Sequence, residues 1–91
     1  MRKLRSVLAG YMTENLKMPK DLVYGDALIS ITGRHELYIE NYRSIIEYSN
    51  TQVKLQTKNG KLLIIGKQLQ IVYYTSDEMK IIGYLSEIKY E

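Results

Sequence analysis

Two hydrophobic periods divide the chain. Near the N-terminus, apolar residues recur at spacings of three and four, which is the period of an amphipathic helix. These residues are Leu4, Val7, Leu8, Tyr11 and Met12. From Ala27 to the C-terminus, apolar and polar positions mostly alternate, which is the period of a half-buried strand. The pattern predicts a short N-terminal amphipathic helix, over about residues 2–15, followed by a β domain.

The alternating region consists of short runs separated by turn residues. The runs lie at residues 28–31, 36–39, 44–48, 51–57, 61–65, 69–74 and 79–90, and Asn41-Tyr42-Arg43 and Gly66-Lys67-Gln68 read as connections. In the last run the apolar phase changes between Leu85 and Ile88, which predicts a β-bulge near Ser86-Glu87. We expect six or seven strands, most simply a small antiparallel β-meander that forms a sandwich or partly open barrel.

Asn59-Gly60 is the strongest turn signal in the chain. Between two alternating runs this dipeptide predicts a hairpin with a two-residue type I′ turn, which would place Leu55 opposite Ile64. The same pairing places one set of apolar residues on one face of the hairpin: Val53, Leu55, Leu62 and Ile64.

The other face of this hairpin mixes polar and apolar residues. Lys54 and Gln56 lie on one strand, and Leu63 and Ile65 lie on the other. A wet sheet face normally carries polar residues, so this face should be partly covered, either by the N-terminal helix or by a partner subunit. The expected interaction surface therefore comprises Leu63 and Ile65 together with Leu4, Val7 and Leu8 of the helix.

Length and charge indicate one domain with a basic leader. The 91 residues fit one core, and 45% hydrophobic with 25% charged residues is a globular composition. We divide the domain, residues 1–91, into a basic helical leader (1–24) and a β domain (25–91). Residues 1–20 carry five Lys or Arg against one Glu, whereas residues 21–91 carry eight against nine Asp or Glu. The net charge of +3 therefore arises from the leader, and the rest of the chain is nearly neutral. This distribution weakens any argument from the overall charge to nucleic-acid binding.

The leader is too short for the apolar region of a secretory signal and its cleavage site, and no stretch approaches the roughly 18 apolar residues of a membrane span. We expect a cytoplasmic protein whose basic amphipathic helix is able to touch an anionic membrane surface.

Reactive side chains are scarce. There is no cysteine, the single imidazole is His35 in a turn, and no Gly-x-Gly-x-x-Gly or Walker pattern occurs. A catalytic triad or a zinc site needs more such groups than this. We expect no catalytic site, no metal and no cofactor.

A small nucleic-acid-binding barrel of the OB or Sm-like kind is the alternative. Tyrosines stack on bases, lysines neutralise phosphates, and residues 53–61 followed by Gly66 resemble the first Sm signature. The aspartate of that signature and the whole second signature are missing, which disfavours this reading.

From Lys20 to Tyr90 the order of features resembles the YabP/YqfC family of bacterial sporulation proteins, nearer its YqfC branch. The residues that carry the resemblance are Met18-Pro19-Lys20-Asp21-Leu22, Ile31-Thr32-Gly33, Leu37-Tyr38-Ile39-Glu40-Asn41-Tyr42, Ile45-Ile46-Glu47-Tyr48, Val53, Leu55, Thr57, Gly60, Leu62, Ile64, Gly66, Leu69, Ile71, Ile81, Gly83, Leu85, Ile88 and Tyr90.

The resemblance implies a non-enzymatic factor made in the mother cell of an endospore former. It also implies a link to a membrane protein encoded alongside, called YqfD in that branch. Together with the half-apolar outer face and the basic leader, the resemblance leads us to expect a self-associating adaptor or assembly protein, a dimer in the simplest case, that acts in the cytoplasm at the forespore membrane surface. We expect its contacts to form through strand edges or through the face of Leu63 and Ile65.

Overall fold

The alternating residues form six antiparallel strands in a computed structural model that describes residues 25–91. The strands are β1 (Leu28–Thr32), β2 (Glu36–Glu40), β3 (Tyr42–Tyr48), β4 (Gln52–Thr57), β5 (Gly60–Tyr74) and β6 (Glu78–Tyr90). The mainly β class is confirmed, and the described range contains no helix. The predicted N-terminal helix, with Leu4, Val7 and Leu8, lies outside the described residues.

The strands form one open sheet in the order β1-β2-β6-β5-β4-β3. Strands β3 to β6 follow one another as a meander, but β2 pairs with β6 and not with β3. The prediction of a simple meander is therefore wrong for the first hairpin. That hairpin joins the sheet through contacts such as Leu37 with Ile81 and Ile39 with Met79, which are distant in sequence.

Asn41 forces the sheet to fold over on itself. This residue alone connects β2 to β3, although three strands lie between them in the sheet. In a flat sheet four strand spacings would separate them by about 19 Å, whereas two Cα–Cα steps reach at most about 7 Å. Asn41 makes the corner with a positive φ of 67°, and its Nδ2 donates to the Asp26 carbonyl at 2.9 Å.

The sheet bends over within its two longest strands, β5 and β6. The pairing of β5 with β6 shifts register after Ile65 and again after Lys67, and Gln68 has a positive φ of 53°. The connection predicted at residues 66–68 is thus a bend within one continuous strand. In β6, Ile65 pairs with Glu87 and Gly66 with Leu85, so Ser86 is an extra residue and the predicted bulge is confirmed.

The β4–β5 hairpin has a different turn from the predicted one. Thr57 pairs with Gly60 and Leu55 with Leu62, so Lys58 and Asn59 form the turn. Neither residue has the positive φ that a type I′ turn requires, and Gly60 takes it instead, at 125°. Thr57 stabilises this geometry, because its Oγ1 donates to the Gly60 carbonyl and accepts from the Asn59 amide.

The core lies between the two halves of the folded sheet. Its members are apolar residues of the inward faces: Leu37, Ile39, Tyr42, Val53, Leu55, Leu62, Ile64, Leu69, Met79, Ile81 and Leu85. Each aliphatic member contributes about 1.5–3 kcal/mol by leaving water. Ile88 packs against this core from beyond the bulge, whereas Tyr90 stays exposed. Tyr42, predicted in a connection, is instead the first residue of β3 and is buried.

We predict that Gly66→Ala strongly destabilises the protein. A Cβ at this position would lie 2.2 Å from the Tyr84 carbonyl oxygen, and a backbone atom cannot rotate away. Urea unfolding followed by circular dichroism should show a loss of at least about 2 kcal/mol. The control is Lys67→Ala at the next, exposed position, with a change within about 0.5 kcal/mol. Equal midpoints for the two variants would contradict the close approach.

We predict that Asn41→Ala destabilises the fold more than Asn41→Gly. Both variants lose the bond to the Asp26 carbonyl, which contributes about 1 kcal/mol. Alanine also meets the penalty for positive φ, about 1–2 kcal/mol, which glycine avoids. Thermal unfolding of the two variants measures the difference. The reverse order of stability would show that the corner does not depend on backbone conformation.

Candidate interaction surfaces

The structure places Leu63 and Ile65 on the outer face of the sheet, as predicted, together with Lys54 and Gln56. The prediction paired Leu55 with Ile64, whereas the structure pairs Leu55 with Leu62. A shift of two residues leaves every side chain on its predicted face. Leu63 is buried although it lies outside the core cluster, and its cross-strand neighbours are Lys54 and Lys89. Ile65 is half-buried. Whether the leader or a partner contacts this face stays a prediction.

A second surface lies where the folded sheet brings two strand edges side by side. The side chains of β3 bridge to the C-terminal half of β5: the Tyr42 hydroxyl donates to the Thr75 carbonyl, and the Tyr48 hydroxyl accepts from the Ile71 amide at 3.1 Å. We call this line, residues 42–48 beside residues 71–75, the seam. The hydroxyls of Tyr42 and Tyr48 bridge the two segments at the two ends of the seam. The strands β3 and β5 are not neighbours in the sheet.

Exposed apolar side chains flank the seam. Ile46 and Tyr48 belong to β3, Val72 and Tyr74 belong to β5, and they are 46%, 50%, 48% and 62% exposed. Together these four residues form what we call the seam patch. Large exposed apolar side chains grouped in this way are typical of interaction surfaces. The sequence pattern missed this surface, because Tyr42 and Tyr48 contact residues 33 and 23 positions away.

Burial at the seam changes the acidity of Tyr42. The pKa of this phenol is raised, first because burial disfavours the phenolate and then because Tyr74 and Asp77 add negative charge nearby. Tyr42 therefore stays a neutral donor to the Thr75 carbonyl over the physiological range. The bridge at this end of the seam is a permanent part of the fold at neutral pH.

Asp26 ties the start of the β domain to the tip of the β4–β5 hairpin. Its carboxylate accepts from Asn59 Nδ2 at 3.1 Å and pairs with Lys58 Nζ at 3.3 Å. These two partners, the amide first, lower the pKa of Asp26. The Ala27 amide donates to Asn59 Oδ1 at 2.8 Å, so residues 26 and 27 are held beside the hairpin tip.

His35 lies in an exposed turn, in agreement with the sequence interpretation. It borders a shallow depression at the bend of the sheet, whose other lining residues are Glu36, Gln68, Ile82, Gly83 and Tyr84. Within residues 25–91, no three His, Asp or Glu side chains group as metal ligands.

The charge distribution of the β domain does not favour nucleic acid. Residues 25–91 carry eight Lys or Arg and eight Asp or Glu. Four lysines pair with acidic residues at 3.3–4.0 Å: Lys54 with Glu91, Lys58 with Asp26, Lys80 with Glu36, and Lys89 with Glu87. An OB-type barrel also has five strands, whereas this sheet has six.

Comparison with known proteins identifies the family. A family model described as the YabP family matches residues 25–91, which is the whole described β domain. The chain belongs to the YabP family. It is also similar to the uncharacterized protein YqfC of Bacillus subtilis strain 168, with 28% identity over 90 residues that cover 99% of this chain and 97% of that protein. The resemblance predicted from the sequence is thereby confirmed.

No solved structure matches this chain. The part of the chain that the structure describes contains no helix long and apolar enough to cross a membrane.

We predict that Tyr42→Phe removes a stabilising contribution that disappears at alkaline pH. At pH 8 the variant loses the bond to the Thr75 carbonyl, about 1 kcal/mol. Because the pKa of Tyr42 is raised in the folded state, its contribution is complete below the ordinary tyrosine value of about 10 and is lost as pH rises through the folded value.

Urea unfolding at pH 8 and at high pH tests this prediction. The stability difference between wild type and Tyr42→Phe should narrow at the higher pH. The control is Tyr84→Phe, which removes a hydroxyl from a side chain that is 63% exposed. A difference that stays constant with pH would show that the Tyr42 hydroxyl does not stabilise the fold.

Proposed function

We propose that this protein is a non-enzymatic sporulation factor that acts in the mother cell of an endospore-forming bacterium. It works as an adaptor or assembly protein, associates with copies of itself, and docks on a membrane protein of the YqfD kind. Its place in the cell is the cytoplasm of the mother cell, at the surface of the forespore membrane.

Family membership is the observation that carries this proposal. The YabP/YqfC family is linked to sporulation, and the match covers the β domain from residue 25 to residue 91. The similarity to YqfC extends over nearly the full length of both chains. It therefore includes the basic leader, the segment that we assign to the membrane surface.

The surface of the β domain supports a binding role. In a domain of this size a binding protein presents aromatic and aliphatic side chains, whereas an enzyme presents converging acids, bases or nucleophiles. The seam patch supplies side chains of the first kind. The side chain of His35 is exposed in a turn.

Deletion of the gene in an endospore former that carries it tests the proposal. We expect normal vegetative growth, a large fall in the number of heat-resistant spores, and restoration by the wild-type gene. The tagged protein should also co-purify from solubilised sporulating-cell membranes with the membrane protein encoded beside it. Normal spore numbers in the deletion strain would reject the sporulation role.

Substitution on the outer face locates the contact with the membrane protein. Ile65→Lys should reduce that co-purification, because it places a charge on the half-buried apolar side chain of this face. Gln56→Lys is the matched control, since it adds the same charge to a polar position of the same face. Leu63 is unsuitable for this test because it is buried and its replacement would also affect folding. Equal co-purification of the two variants would exclude the outer face.

A further inference from the structure

The seam patch lies between two pairs of opposite charges. At one end of the seam, the Asn41 amide donates to the Asp77 carbonyl at 2.6 Å, which places Asp77 beside Asn41, two residues before Arg43 in the chain. At the other end, the Leu69 amide donates to the Asn50 carbonyl at 2.8 Å, which places residues 67–69 beside the end of β3. Lys67 therefore lies at this second end, and Glu47, whose Oε1 accepts from Gln52 Nε2 at 2.8 Å, is the acidic residue of β3 near that end. All four charged side chains are exposed.

The signs of these charges alternate around the apolar centre. On the β3 side, Arg43 is positive at one end and Glu47 is negative at the other. On the β5 side the order is reversed, because Asp77 lies at the Arg43 end and Lys67 at the Glu47 end. Going around the seam patch, each charge is thus followed by one of opposite sign.

A surface of this kind is complementary to itself. If a two-fold axis runs across the seam, Lys67 faces the second copy's Asp77, and Arg43 faces the second copy's Glu47. If the axis runs along the seam, Lys67 faces the second copy's Glu47, and Arg43 faces the second copy's Asp77. In both arrangements every basic residue faces an acidic one. In the centre, the seam patch of one copy contacts the seam patch of the other.

The segment of β5 along the seam also lacks the usual protection of a sheet edge. Edge strands commonly carry charged residues or proline, which prevent pairing with another chain. Residues 68–75, Gln-Leu-Gln-Ile-Val-Tyr-Tyr-Thr, contain neither, and they also lack glycine. Val72, Tyr73 and Tyr74 are all more than 40% exposed. Such a segment exposed on a monomer favours contact with another protein surface.

We infer that the seam patch is the surface through which two copies of this chain associate about a two-fold axis. This inference rests on the self-association in the proposed function and assigns it to named residues. Nucleic acid and anionic membranes need a surplus of positive charge, and the four charges here cancel. A second copy of the chain supplies both the apolar area and the alternating charges that match.

Charge reversal in the full-length protein tests this assignment, with mass in solution measured by light scattering at low salt. Wild type should be a dimer. Lys67→Glu places like charges together in both arrangements, twice per dimer, and should raise the dissociation constant by about tenfold or more. The matched control is Lys61→Glu, which makes the same change at an exposed position of β5 outside the seam patch and should leave the dimer intact.

A second reversal should rescue the dimer and identify the axis. With the axis across the seam, Lys67→Glu combined with Asp77→Lys restores association. With the axis along the seam, Lys67→Glu combined with Glu47→Lys does so. Circular dichroism melting of every variant separates weak association from loss of folding.

Disulfide cross-linking gives an independent readout, since the chain contains no cysteine. Under oxidation, Val72→Cys alone should form a covalent dimer if the axis runs across the seam, and a mixture of Val72→Cys with Ile46→Cys should do so if the axis runs along it. Ile31→Cys, on a side chain that is 53% exposed in β1, is the control and should remain monomeric on a non-reducing gel.

Two results would overturn the inference. A dimer that responds equally to Lys67→Glu and Lys61→Glu, with no cross-link at Val72 or Ile46, would place self-association on another surface and leave the proposed function standing. A monomeric wild type at the highest soluble concentration would remove self-association altogether. The spore count of the deletion strain is measured separately, so either result is distinguishable from failure of the sporulation role.

Discussion

The rest of the structure depends on the single-residue connection at Asn41. Because β2 and β3 are consecutive in the chain but separated by β6, β5 and β4 in the sheet, the sheet has to fold over until its distant strands meet. The fold encloses the inward faces of all six strands in one core, so a domain of fewer than seventy residues buries enough apolar surface to be stable. A flat six-stranded sheet of this sequence would leave its apolar face in water.

The fold-over has two local consequences. First, β5 and β6 have to bend together, and their backbones approach so closely at Gly66 and Gly83 that a Cβ at either position would lie within 3.0 Å of backbone atoms. Second, the edges of β3 and β5 meet without becoming neighbours in the sheet, and the hydroxyls of Tyr42 and Tyr48 take the place of a backbone ladder. The seam is thus a by-product of the topology, and it concentrates exposed aromatic and aliphatic side chains along one line.

In the function that we propose, two surfaces of the domain bind different partners. Leu63 and Ile65 lie on the outer face of the β4–β5 hairpin, and Asp26 and Ala27 are bound to Asn59 at the tip of the same hairpin. The seam patch involves another part of the sheet surface and has an alternating charge pattern that suits a second copy. The adaptor role that we propose needs at least two separate contacts, and we assign one to each of these surfaces.

The strand class, the inward faces and the bulge in β6 all follow from the pattern of residues along the chain. Alternation identifies Leu37, Ile39, Leu55 and Ile64 as core residues, because the side-chain period of a strand is two and a shift of two in the hairpin pairing leaves each residue on its face. The order of features along the chain also indicated the resemblance to the YabP/YqfC family. Alternation is local and can be read from neighbouring residues, whereas the family resemblance rests on the order of features over most of the chain.

Three features depend on the complete folded sheet: the pairing of β2 with β6, the turn at Lys58 and Asn59, and the seam. Alternation does not specify which of several similar strands pair, since each offers the same backbone groups and the same apolar face. Asn59 appeared to be half of a type I′ turn, but its side chain is bound to Asp26 and Ala27, more than thirty residues away. Contacts over such distances depend on how the whole sheet folds, and no local pattern contains them.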